Sequence, residues 1–191
     1  VGQTLGHTIG DAPFFTYSLL WSFGGMEVDA KQKVIINSKE TLRSIEFMKE
    51  FWTAACDESG LAWDDGSNNR AMLAETISVT GNANSIWYKA KFDKTIRAGL
   101  AEQIGHFLLP RGPAGRFMMC QPYNHCITSY SPNKAAAREY IKWIMKKENY
   151  GKWFETNLGF CVGPSAEWEK HPMWDREPAV TMSEAGRTAV A

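Results

Sequence analysis

No stretch of this 191-residue chain stays apolar for the roughly eighteen residues that a membrane-crossing helix needs, so no such span is read from it. Charge of neither sign prevails: 21 lysines and arginines stand against 21 aspartates and glutamates. Neutralising phosphates takes a basic excess, which argues against a general nucleic-acid binder. Cysteine is scarce, and Cys56, Cys120, Cys126 and Cys161 show no CxxC spacing, which argues against a zinc knuckle or a thioredoxin-type motif. Two disulfides in an exported protein, or small buried thiols, both fit; the spacing favours the thiols. His7, His106, His125 and His171 are scattered and make no HExxH-like metal spacing, so no metal or cofactor is expected. Internal repeats and low-complexity linkers are absent too. The opening "VGQTLGHTIGD" has neither the basic start nor the apolar core of a signal peptide. A removed signal, or a start inside a longer protein, is the expectation there.

What the chain has in surplus is aromatic rings, with eight tryptophans and ten phenylalanines. Such rings fill cores, and they also suit a ligand surface built of flat faces. The length fits one ordinary domain or one large lobe. Along the chain, short apolar runs alternate with amphipathic helices, an α/β pattern. In "KVIINSKETLRSIEFMKEFWTAAC", Val34 to Ile36 reads as a strand and Asn37 or Ser38 as the cap of a helix. Its Leu42, Ile45, Met48, Trp52 and Ala55 recur at helical spacing, and Gly60 is expected to end it. Ile77 to Thr80 reads as a buried strand, "SIWYKAKFDKTIRAGLA" as helical, and "IGHFLLPRGPAGRF" as a short strand and a Pro/Gly turn. Asn133 caps a helix with an apolar stripe at Ala136, Tyr140, Ile144 and Met145. Trp153, Phe154 and Leu158 continue as a helix stopped by Gly159, and Pro172 and Pro178 break the remaining turns.

The segments "LLWSFGG", "NSKETLRSIEFMKEF", "WDDGSNNRAML", "ISVTGNANSIWY", "LLPRGPAGRF" and "YSPNKAAAREYIKWIM" occur in the order found in family 1 extracellular solute-binding proteins, and the chain resembles that family over almost its whole length. The resemblance implies a periplasmic-binding-protein type II-like lobe, helix-rich with a small mixed sheet, from a two-lobed protein that closes on its ligand about a hinge. It implies capture of a sugar or similar small polar solute without chemistry, delivery to an ABC permease, and a periplasmic or extracellular location. A monomer when full length is expected. Residues 1–118 would belong to the carboxy-terminal lobe and 119–130 would form a hinge crossing. Residues 131–175 would pack on an amino-terminal lobe most of which has no counterpart here, and 176–191 would return.

By that resemblance, Phe14 matches a position where relatives stack an aromatic ring on a sugar, and Trp21 is a second candidate from the same "PFFTYSLLWSFGG" run. For most of those rings a core role is the better reading. "GNANSIWY" follows an expected strand and opens a helix, where α/β proteins place ligands. Asn82 and Ser85 match the family there, whereas Ala83 and Asn84 depart from it. Asn82 and Asn84 could bond hydroxyls and Trp87 could supply a stacking wall; the alternative is Asn84 or Ser85 as the helix cap with Trp87 and Tyr88 packed inside, and of these residues Trp87 alone is favoured as a ligand contact. On the hinge, Tyr123 and Asn124 are preferred to His125 as ligand contacts. His125 and Cys126 point to opposite faces of an extended chain and make no nucleophile–base pair with each other.

"WDDGSNNR" raises an enzymatic alternative, a glycosidase using Asp64 or Asp65. It lacks the alternating acids of a calcium loop, and adjacent carboxylates on one turn flank a substrate poorly. Asp65 or Ser67 reads instead as a helix N-cap, with Asp65 or Trp63 as a cleft-edge contact. A structural or interaction module is the third class, fitting if the aromatic faces are buried and no cleft remains.

Overall fold

The computed structural model describes residues 1–7, 10–119, 124–157 and 163–176. The chain divides into two units, Val1–Cys120 and Gln121–Ala191. In the first lie α1 (Asp11–Ser22), α2 (Lys39–Ala55), α3 (Ser67–Leu73) and α4 (Ser85–Phe92), with tight turns of helix at Glu58–Ala62 and Ala101–Gln103. The second holds α5 (Lys134–Ile144), α6 (Lys147–Thr156), a tight turn at Ala166–Lys170 and the short α7 (Met173–Arg176).

The expected small mixed sheet is not there: among the described residues the only β pairings are the isolated bridges Val28–Val34 and Gly112–Gly115. A strand is stable only when successive N–H and C=O groups find partners on a neighbour. Val34 to Ile36 turns back on Val28 through a tight loop, whose Asp29 carboxylate accepts from the Lys31 and Lys33 amides at 2.8 and 2.9 Å, and goes no further. From another segment's backbone the Ile77–Thr80 run receives one bond, from the Gly2 amide to the Val79 carbonyl at 2.9 Å. β-Branched runs announce extended backbone, but not whether another strand lies beside it.

The helices form for local reasons. α2 starts where the Ser38 hydroxyl accepts from the Thr41 amide at 3.1 Å, as the sequence predicts. It ends at Ala55, before Gly60. Gly60 serves a close approach instead: a Cβ there would lie 2.3 Å from the Gln3 carbonyl oxygen. α1 closes in a Schellman motif: the Gly25 amide donates to the Leu20 carbonyl at 3.0 Å and the Gly24 amide to that of Trp21 at 2.9 Å. Gly24 has a φ of 89°, which disfavours any residue with a Cβ.

α1 and α2 meet through rings, Phe15 with Phe51 at 6.0 Å and Phe23 with Phe47 at 5.3 Å between centroids. Leu42 and Ile45, on the stripe read from the sequence, are exposed. The rest of this unit's core is Leu20, Ile86, Trp87, Ala90, Leu100 and Ala101. In the second unit Phe154, Trp168 and Met173 are buried together, with Tyr150 and Trp174 against them. None of the residues of α5 is buried. Asn133 precedes α5 without a side-chain capping bond, and α6 runs to Thr156; Leu158, Gly159 and Pro178 fall outside the described residues.

Candidate functional site

The starts of α1, α3 and α4 are joined by a network of side chains in the first unit. Asn68, on the first turn of α3, is fully buried. Its Nδ2 donates to Asp11 Oδ2 at 2.7 Å and to Thr80 Oγ1 at 3.3 Å, and its Oδ1 accepts from the Asn69 amide at 3.0 Å. Next to it, Asn69 Nδ2 donates to Ser85 Oγ at 3.1 Å. Asn82 Nδ2 in turn donates to Asn69 Oδ1 and, at 3.5 Å, to Ser85 Oγ. The Asn82 Oδ1 accepts from the Ala83 amide at 2.8 Å. Gly81 passes beside these groups: its amide donates to Gln3 Oε1 at 3.1 Å, and a Cβ built on it would lie 3.8 Å from Phe14 Cε1. Phe14, Asn82 and Ser85, three of the residues expected from the sequence, are thus in one neighbourhood, each half-buried.

Other expected residues take different places. Asp65 is exposed, and its Oδ1 accepts from the Asp11 amide at 3.2 Å, so it caps α1 from a distant part of the chain. Asn84 precedes α4 without a side-chain capping bond. Trp87 is 3% exposed, with the Lys91 ammonium 4.8 Å from its ring centre; here it is a core residue that presents no open face. Trp21 sits in the last turn of α1, its Nε1 donating to Glu27 Oε2 at 3.0 Å and its ring stacked with Tyr17. Tyr123 lies outside the described residues, and Asn124 is exposed in the second unit, as are His125 and Cys126. Cys56 is half-buried; it and Cys126 are free thiols.

Two carboxyl groups, Asp11 on α1 and Asp64 before α3, are shifted in opposite directions. Asp64 accepts from the Ser67 hydroxyl at 2.7 Å, from the Gly66 amide and from Arg70, and the Ser67 bond first among these holds its carboxyl below the usual range. A carboxylate kept ionised in this way is a poor general acid. Asp11 behaves oppositely: burial pushes its carboxyl up and Asp65 nearby adds to that, against the Asn68 bond. Among the described residues no three His, Cys, Asp or Glu side chains gather as a metal site. What gathers instead is amides and hydroxyls that both donate and accept, beside one aromatic ring. The sequence reading missed Asp11, Asn68, Asn69 and Thr80; the signal was two consecutive asparagines in a helix start, residues that favour local side-chain bonding over helix.

No curated protein matches the chain. Among solved structures it is similar to maltose-bound MalE3 of T. maritima, with a TM-score of 0.70 and 19% identity; the match covers 99% of this chain and 49% of that one. At such identity the likeness speaks for the fold alone, carried here by helices and connecting segments, and the chain spans about half the length of that protein. The family model for the bacterial extracellular solute-binding protein matches residues 6–151. Those residues take in α1 to α5 and the amide cluster, and the chain belongs to the bacterial extracellular solute-binding protein family.

Proposed function

We propose that the chain supplies one wall of a cleft that captures a sugar or similar small polar solute for an ABC importer, outside the cytoplasm and without making or breaking bonds. The observation that carries this is a neutral cluster of Asn69, Asn82 and Ser85 joined by their own side chains, with the half-buried Phe14 ring beside Gly81, the residue next to Asn82. A pyranose has apolar C–H faces and an equatorial rim of hydroxyls. Ring and amides answer those two features without a charge to neutralise. The maltose in the MalE3 structure, although that protein is only a distant relative, is the natural first probe.

On this reading residues 1–118 are the carboxy-terminal-lobe portion, 119–130 the hinge crossing, 131–175 the helices that pack on the other lobe, and 176–191 the return. Tyr123 and Asn124 would then line the cleft floor. Asp65, which caps α1, and Trp87, which lies in the core, hold the frame on this reading, while the half-buried Trp21 and Asn84 remain candidate contacts. Titration of the chain with maltose, followed by tryptophan fluorescence and by calorimetry, tests the proposal. A saturable response that Phe14→Ala weakens at least about tenfold, roughly the loss of one ring contact, supports it. Absence of heat or fluorescence change with maltose and a panel of other neutral sugars overturns it.

A further inference from the structure

Asn68 is a fully buried polar side chain, and it joins three separate segments. Its amide nitrogen reaches Asp11 on α1 and Thr80 in the 77–81 segment, while its oxygen accepts from the Asn69 amide. Only a group with two donors and an acceptor satisfies all three. An aliphatic side chain would leave Asp11 and Thr80 unpartnered by it, and a carboxylate would confront Asp11, with Asp65 capping the same turn. Asn69 follows directly, and its own amide meets both Ser85 and Asn82.

We infer that Asn68 is a positioning residue: it fixes the start of α3 against α1 and the 77–81 segment, and so sets the angle at which Asn69, Asn82 and Ser85 face the cleft. The inference rests on the proposed binding reading, because those three groups are taken there as the ligand-facing ones. Asp11 is part of the device, as acceptor of the shorter of the two Asn68 bonds. Other charged groups at this junction are Asp65, and Asp64 with Arg70 on the outer side of α3.

The full chain tests this in three variants, Asn68→Ala, Asn68→Asp, and the exchange Asp11→Asn with Asn68→Asp. Backbone amide shifts of Asn82 and Ser85 and maltose titrations are recorded at pH 7 and pH 4, with circular dichroism to follow helix content. Asn68→Ala is expected to keep the helices, shift both amides and weaken maltose about tenfold. Asn68→Asp should be weaker still at pH 7, where the introduced carboxylate faces Asp11, and should recover at pH 4 as one of the two carboxyls takes a proton and donates to the other. The exchange restores an amide donor opposite a carboxylate and should return both shifts and affinity toward the natural protein at pH 7. A merely space-filling role would show neither the acid recovery nor the rescue by exchange.

Unmoved Asn82 and Ser85 amides in a folded Asn68→Ala chain overturn the inference. If that variant does not fold, failure of the exchange to restore those two amides does the same. A natural protein that ignores maltose sinks only the choice of sugar, since the amide shifts are read without ligand.

Discussion

Asp11 is the residue whose ionisation opposes the fold. Its carboxyl is raised by burial first and by Asp65 second. A carboxyl raised on folding binds more protons in the native state than in the unfolded one. Stability therefore falls as pH climbs from the ordinary carboxylate value through the raised one, and above that window the cost is constant. Asp11→Asn keeps an oxygen that can accept from Asn68 and removes the charge. At pH 7 its melting temperature should equal or exceed that of the natural chain, and the difference should shrink toward zero near pH 3. A variant that melts lower at pH 7 would show that the Asp11 charge is favourable overall, through the α1 dipole. Single residues were only partly legible. Phe14, Asn82 and Ser85 are named through the family resemblance of the segments that hold them, and the structure places all three around Gly81. The place of Asn68 could not be read, since its partners Asp11 and Thr80 stand 57 and 12 residues away.

Of the local caps read from the sequence, Ser38 bonds its helix, whereas Asn84 and Asn133 stand at their helix starts without a side-chain capping bond and α3 begins after Gly66 rather than from an Asp65 or Ser67 cap. Ser38 caps its own helix three residues before the amide it bonds, a spacing visible in "SKET". For α1 the sequence offers Gly10, which has no side chain, and the acceptor comes from Asp65 instead. Both caps should be worth about 1 kcal/mol, so Ser38→Ala and Asp65→Ala should each lower the urea midpoint by a comparable amount. Asp65→Asn, which retains an acceptor, should lose much less. Equal losses for Asp65→Ala and Asp65→Asn would mean that the carboxylate acts through its charge and not as a cap. The strands failed for the same reason that remote caps did. Val34–Ile36 and Ile77–Thr80 carry the right side chains, but the backbone partners that would turn extended chain into sheet are not encoded nearby.

At the scale of the whole chain, the described residues leave much apolar surface uncovered. Val34 is 70% exposed and Phe107 67%, while Leu42, Ile45, Tyr140 and Trp143 are each exposed by half or more. Helix periodicity identified Leu42, Ile45 and Tyr140 as members of apolar stripes without saying what covers them, because a stripe looks the same whether its partner lies within the chain or on another body. On the proposed two-lobed reading, the face of α5 belongs against the other lobe. Apolar patches of this kind drive association when left in water. The chain by itself should bind a hydrophobic dye such as ANS, and its mean mass in sedimentation velocity should rise with concentration across the micromolar range. Leu42→Lys together with Ile45→Glu replaces two exposed apolar side chains of α2 by an opposite-charge pair three residues apart. That double variant should lower dye binding and self-association, with the helix signal unchanged. If the natural chain stays monomeric and dye-silent throughout that range, its apolar faces are covered in solution and the α5 face no longer argues for a second lobe.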